Sequence, residues 1–455
     1  MRRAGLSFGV YVLLCAGFLR TQEKLGEVHL KNEVLSQRRQ EVASTSTSCC
    51  IYDHDPNHIW NRLFRLFYMR TGKNGRQYGG EELDPYVRVE TRYLIEGPSH
   101  DEAMRLLDQF LQQHAELLIR DPLKRAWMQR DLIAIYNWLA DSDNEPKSNR
   151  AQLQAKLREI IDRLALTDNE IRALPDNYQE AARSKAFPAI YDSRDPDRGF
   201  LPPDLFDPAG SWVCLSEQHA QSVASEHLIF FDGRSVFLVF LDLPGGRTET
   251  LAYLEKLRTI PTHWGEDREF PGGIMVPSPE PPQLPLGTRM ALVRQAVLMD
   301  NRGKLVSTHL TESVQIRGYR SIRPFSDENA LRDPPQRVFE LRVDRQVLFS
   351  GRSGGFHAVA ADEKEFGFFN IYRGPDEFED ENNPEEAGQA IILRQCGECH
   401  ASAGIHSFLS YSRERFRISD NLPPPKLIES TPAREAAVEM DWIRHHATTT
   451  DLVHP

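Results

Sequence analysis

The apolar residues of this chain change their spacing near residue 187, and that change limits what the chain can fold into. Upstream they recur every three to four positions, as on one face of a helix. Downstream of residue 209 they come in short unbroken or alternating runs of the kind strands use. No single regular architecture serves both periods. The expected fold class is therefore multidomain α+β, with an N-terminal helical domain over 51–186 and a mainly antiparallel β domain over 210–375. Proline and aspartate dominate 187–209, which reads as a linker.

The helical half is read from its stripes. Asn57 stands where a cap belongs, ahead of Ile59, Trp60, Leu63, Phe64 and Phe67. Ser99 and Glu102 have the spacing of a capping box before Met104, Leu107, Phe110, Leu111 and Leu118. Pro122 suits the first turn of a helix bearing Trp127, Ile135, Trp138 and Leu139. Leu153, Leu157, Ile160, Ile161 and Leu164 mark another. In the β half, residues 227–243 read as a buried hairpin broken at Asp232-Gly233. Residues 289–299 and 304–318 flank the turn Asp300-Asn301-Arg302-Gly303, and 338–349 reads as a further strand. The short connections predict antiparallel pairing.

Composition removes several functions. The net charge is -11, and no stretch gathers enough Lys and Arg to follow a phosphate backbone, so nucleic acid is not an expected partner. A mean hydropathy of -0.50 and one apolar run, 6–19, exclude a polytopic membrane protein. That run follows Arg2 and Arg3 and ends near Cys15-Ala16-Gly17, the pattern of a signal peptide over 1–22, with a polar linker over 23–50. Export to the periplasm or the extracytoplasmic face of the membrane is the expectation, with membrane association only through an uncleaved N-terminal segment. An oxidising compartment would let Cys49 or Cys50 bridge Cys214.

One motif speaks to chemistry. Cys396-Gly397-Glu398-Cys399-His400 is a CxxCH pentapeptide. Two thiols three positions apart can add to the two vinyl groups of a haem, and the adjacent imidazole then meets the iron. With six cysteines and 15 histidines in 455 residues, a chance match arises in about one such chain in four hundred.

Around this motif the sequence resembles the c-type cytochrome family. Gly388 lies eight residues before Cys396 and Ile392 four after that glycine, in AGQAIILRQCGECHA. In that family the glycine belongs to an amphipathic helix and admits a closing C-terminal helix at close range. Residues 432–447 would supply that helix here, with Trp442 against Gly388. The resemblance covers about residues 385–447 and implies a small α-helical haem domain over 387–447. It implies one haem c per chain, held covalently by Cys396 and Cys399, with His400 as proximal axial ligand. The family's usual distal methionine has no counterpart in 401–431, which contains none. Met440 is the methionine left to fill that role, although on a helix it would point about 160° away from Trp442. His406, His445 and His446 are other candidates, and an open sixth position is a further one.

Other chemistry could use the same atoms. Cys396, Cys399 and His400, with His406 or His445, could hold zinc, or the two cysteines could form a redox dithiol or a structural disulfide. Either would leave a non-haem extracytoplasmic binding or structural protein. The haem reading predicts an electron carrier or redox sensor rather than a catalytic oxidoreductase, with no catalytic residue assigned. Its partner would be a redox protein, and seven carboxylates in the linker 376–386 favour a cationic one.

Overall fold

The computed structural model describes residues 50–73, 75–79, 93–141, 147–195, 198–216, 224, 227, 235–260, 264–267, 274–323, 333–366, 378, 389–408 and 417–418. The signal peptide, the linker 23–49, Gly388, Met440, Trp442, His445, His446 and the closing helix 432–447 all lie outside these residues, as does the acidic linker apart from Phe378.

The chain is a mixed α+β protein. Helix α1 (Ile59–Tyr68) leads into a ribbon of β1 (Met69–Thr71) and β2 (Gln77–Gly79), followed by α2 (Gly97–Gln112), α3 (Pro122–Asp141), α4 (Lys147–Leu164), α5 (Asp168–Arg172) and α6 (Asn177–Ser184). After β3 (Val213–Ser216) and β4 (Ser235–Asp242) come α7 (Gly246–Arg258) and a second ribbon, β5 (Trp264–Asp267) with β6 (Ile274–Pro277). Then follow β7 (Arg289–Met299), β8 (Leu305–Tyr319), β9 (Gln336–Val343), α8 (Arg345–Phe349), β10 (Phe356–Ala358) and β11 (Lys364–Phe366). The last elements are β12 (Gln389–Ile391), α9 (Ile392–Cys399), α10 (Ile405–Phe408) and β13 (Arg417–Ile418).

Seven strands form one antiparallel sheet in the order β10-β9-β8-β7-β4-β3-β13. The β7–β8 hairpin turns at Asp300–Gly303, where Gly303 takes φ +77°, a conformation that costs a glycine nothing. Every residue of β4 is buried, because both faces of the sheet are covered. On one face, Leu238, Phe240, Val293, Val314, Ile316 and Leu341 pack with Tyr178 and Ala181 of α6 and with Phe200, Leu201, Leu205 and Phe206. On the other, Phe237, Val239, Leu241 and Met290 meet Leu254 and Leu257 of α7 and Ile405 of α10. The helical bundle packs at the end of the sheet, where Val236, Val297, Met299 and Leu305 join the core of α1 to α4. Helices and sheet therefore share buried surface.

Several local expectations need correction. The cap of α1 is His58, whose Nδ1 accepts from Trp60 N at 3.3 Å; Asn57 instead donates its N–H to Asp55 Oδ1. Ser99 and Glu102 form no capping box. Pro98 starts α2 earlier, and the Ser99 hydroxyl accepts from Leu94 N. The capping box of the described residues is Thr167 with Glu170, at α5. Residues 338–349 are not one strand: Asp344 caps a helix there, its carboxylate accepting from Gln346 N and Val347 N. Cys50 and Cys214 are not bonded to each other in this structure, and Cys49 lies outside the described residues. Residues 389–391 are extended and pair with β11, so the helix expected to carry Gly388 into the motif begins only at Ile392.

Candidate functional site

The CxxCH segment lies against the sheet face that carries the polar residues of β8 and β9. From Ser313 onward β8 alternates strictly. Val314 and Ile316 enter the apolar core, while Ser313, Gln315, Arg317 and Tyr319 point the other way. Register places Gln336 opposite Tyr319 and Glu340 opposite Gln315 on that same face. Both α9 and α10 dock on this polar row.

Cys396 is one turn before His400, whose N–H closes α9 onto the Cys396 carbonyl at 3.1 Å. Gln315 Nε2 donates to Cys396 Sγ at 3.0 Å, and the thiol donates to Ile392 O at 3.4 Å. Ile392, the apolar position of the motif, is 2% exposed. Cys399 is the last residue of α9. The strand preceding the motif is antiparallel to β11, and among the described residues no parallel crossover surrounds the two cysteines.

His400 is held through Ser407. Its Nδ1 lies 2.7 Å from the Ser407 carbonyl. A carbonyl only accepts, so Nδ1 carries the hydrogen and, in the neutral ring, Nε2 carries the lone pair. The Ser407 hydroxyl lies 2.7 Å from both Gly404 O and Tyr319 OH and accepts from Gln336 Nε2 at 3.1 Å. Gln336 Nε2 also approaches His400 O at 3.3 Å. Arg317 reaches both Gln336 Oε1 (3.2 Å) and Ser407 O (3.4 Å). Gly404 permits the turn: its φ is +46°, and a Cβ there would collide with the Gln283 amide that accepts from Ile405 N.

A second histidine joins the site. The His227 ring stands 6.1 Å from that of His400, centroid to centroid, with 19° between planes, and 5.8 Å from Phe237 of β4. Both residues are of intermediate exposure as a whole. Burial nonetheless pushes the His227 pKa down to about 4, helped by Arg317 and Arg294 and opposed by Glu340. Burial, then Arg317 and His227, hold His400 well below the usual histidine range against the opposing Ser407 hydrogen bond. Burial favours the neutral form of both rings.

The structure thus brings Cys396 and His400 to one place, with Cys399 between them in sequence, and adds His227, Gln315, Arg317, Tyr319, Gln336 and Ser407, none of which the motif names. The alternation of polar residues in β8 was the available signal. His406 is buried on α10. Among the described residues no three or more His, Cys, Asp or Glu side chains gather as a metal site, and no helix is long and apolar enough to cross a membrane. No protein-family model matches the chain, and no curated protein or solved structure is significantly similar to it.

Proposed function

We propose that the chain is an exported c-type haem protein that carries or senses single electrons through one haem c at CxxCH. The observation that carries this reading is the 2.7 Å contact from His400 Nδ1 to the Ser407 carbonyl. Metal-ligating histidines characteristically donate their other ring N–H to a carbonyl or carboxylate, which fixes the tautomer and raises the basicity of the coordinating nitrogen. The donor set fits the group: two thiols, of Cys396 and Cys399, for attachment, and a neutral imidazole oriented by the backbone.

Cys396 and Cys399 would hold the group by adding their S–H across its two vinyl double bonds, the thiol hydrogen passing to the neighbouring carbon with nothing leaving, and Cys396 would then give up its contact with Gln315. When bound, the iron supplies reversible one-electron exchange between its ferric and ferrous states. The chain's own groups would tune it: Ser407 through His400, and Arg317, Glu340 and Arg294 through the local field. The small helical haem domain implied by the resemblance would be completed by 409–447.

The test is expression of the full chain in an exporting host with a c-type cytochrome maturation system. A pyridine-haem spectrum and a mass increment of one haem, lost in Cys396→Ala and Cys399→Ala, are expected. Colourless protein with the mass of its polypeptide overturns the reading. Oxidation by a cationic partner should slow as salt rises, since the acidic stretch 376–386 would steer the encounter.

A further inference from the structure

We propose that α9 and α10 form a flap, held shut on the polar row of β8 and β9, which lifts off that row as a unit to expose Cys396 and His400. The proposal rests on the haem reading only for what the lifted flap would bind.

In the closed arrangement the groups of the motif are already engaged. Gln315 Nε2 holds the Cys396 sulfur at 3.0 Å, and the His227 ring packs beside that of His400, 6.1 Å between centres. The contacts that keep the flap shut are largely polar. Gln336 Nε2 reaches His400 O and Ser407 Oγ, Arg317 reaches Ser407 O, and Gln283 Oε1 accepts from Ile405 N. Water replaces such bonds at small net cost, whereas buried apolar surface has no substitute in water. Among the described buried side chains of 392–408, Ile392 and Ile405 are apolar, while Gln395, His406 and Ser407 are polar. Gln395 works against closure. It is 6% exposed on a helix that packs against β9, and neither its Oε1 nor its Nε2 has a hydrogen-bond partner among the described residues. Its amide regains water once the flap lifts. Both ends of the flap are tied to the body by short strand pairs, three residues of β12 on β11 and two of β13 on β3. Elements with few buried apolar contacts are the ones that open locally, ahead of global unfolding. The contact from His400 Nδ1 to Ser407 O lies wholly within the flap, so the imidazole keeps its orientation as the flap moves.

The experiment uses the full chain, reduced and without haem, in native buffer. Hydrogen exchange should show 392–408 opening together while β8 and β9 stay protected. Peptide mass spectrometry after N-ethylmaleimide treatment should show Cys396 labelled in step with that opening. Gln395→Leu keeps the volume and removes the unpaired amide, so it should slow both readouts about tenfold. Gln336→Ala removes two of the polar contacts and should speed both about tenfold. If Gln336→Ala does not fold, Gln395→Leu decides alone. Exchange at 392–408 with the urea dependence of the whole chain overturns the flap, as does either readout unmoved by Gln395→Leu. A flap that opens as described, in a chain that takes no covalent haem from a maturation system, stands while the haem reading falls. Covalent haem on a chain without this local opening overturns the flap and leaves the haem reading in place.

Discussion

Gln129 completes the backbone of Met299. From the buried middle of α3 its Nε2 donates to the Met299 carbonyl at 2.9 Å, and its Oε1 accepts from the Met299 N–H at 3.1 Å. The amide thus stands in for a neighbouring strand at the end of β7, where the ladder stops. Its Nε2 also reaches Ile161 O of α4 at 3.1 Å, tying two helices to the sheet. Gln129→Leu keeps the volume and removes the partner, leaving buried backbone groups unsatisfied. It should cost about 2–4 kcal/mol in urea unfolding of the full chain. A cost below about 0.5 kcal/mol would mean that water replaces the amide.

Asn177 does the same for Thr311, with bonds of 2.9 and 2.8 Å, beside the register shifts of β7 with β8. Its neighbour Asp176 caps α6 by accepting from Gln179 N at 2.9 Å. Burial raises the Asp176 pKa, against the opposing cap bond and His309. A carboxyl raised on folding is stabilising when protonated, so this group contributes least at neutral pH and gains as pH falls through its folded pKa. Asn caps about as well as Asp and carries no charge. Asp176→Asn should therefore be at least as stable as wild type at pH 7, with the advantage gone below about pH 4. Asp176→Ala should lose about 1 kcal/mol with the cap. Asparagine proving less stable than aspartate at pH 7 contradicts this.

A buried ionic chain joins the bundle to the sheet. Arg130 contacts Glu312 and lies 3.0 Å from Asp131, Arg294 meets Glu312 at 3.3 Å, and Arg345 meets Asp131 at 2.5 Å. Ser235 Oγ donates to Glu312 at 2.5 Å, and the Arg345 guanidinium lies over the rings of Phe64, Tyr68 and Trp127. Removing one partner strands a charge away from water. Glu312→Gln or Arg130→Met should each cost about 3–5 kcal/mol, and the double variant less than their sum. Simple additivity in chemical denaturation would show that the two groups are not coupled.

The elements and their docking were legible to different degrees. Leu153, Leu157, Ile160, Ile161 and Leu164 announce α4 because periodic burial leaves a periodic sequence. The Asp300–Gly303 turn shows itself through the residue types it demands. The Ser99/Glu102 spacing misled because Pro98 sets the start of α2 and turns the serine back toward Leu94. Gln129 with Met299, and Asn177 with Thr311, are 170 and 134 residues apart. No local pattern records such partners. At the candidate site the motif points to Cys396 and His400 by their spacing, whereas His227 reaches them only through the folded sheet. The strand at 389–391 was hidden because its partner, β11, is remote in sequence.

Ser407 offers a test of how the His400 anchor is held. Its hydroxyl lies 2.7 Å from both Gly404 O and Tyr319 OH and accepts from Gln336 Nε2 at 3.1 Å, while Tyr319 OH also approaches Met290 Sδ at 3.5 Å. Ser407→Ala strands the two buried partners and should cost about 1–3 kcal/mol. Tyr319→Phe removes one partner and should cost about 1 kcal/mol. In both, amide exchange at 405–407 should quicken, because the turn closed by His406 N to Ala403 O and Ser407 N to Gly404 O loses its brace. In haem-loaded protein a loosened Ser407 carbonyl is a weaker acceptor for His400 Nδ1–H. If His400 ligates iron as proposed, its imidazole would then donate less electron density to the metal, and the midpoint potential should rise. A stability loss with an unmoved potential would confine the Ser407 network to folding, because a carbonyl that tunes the ligand cannot shift without moving both.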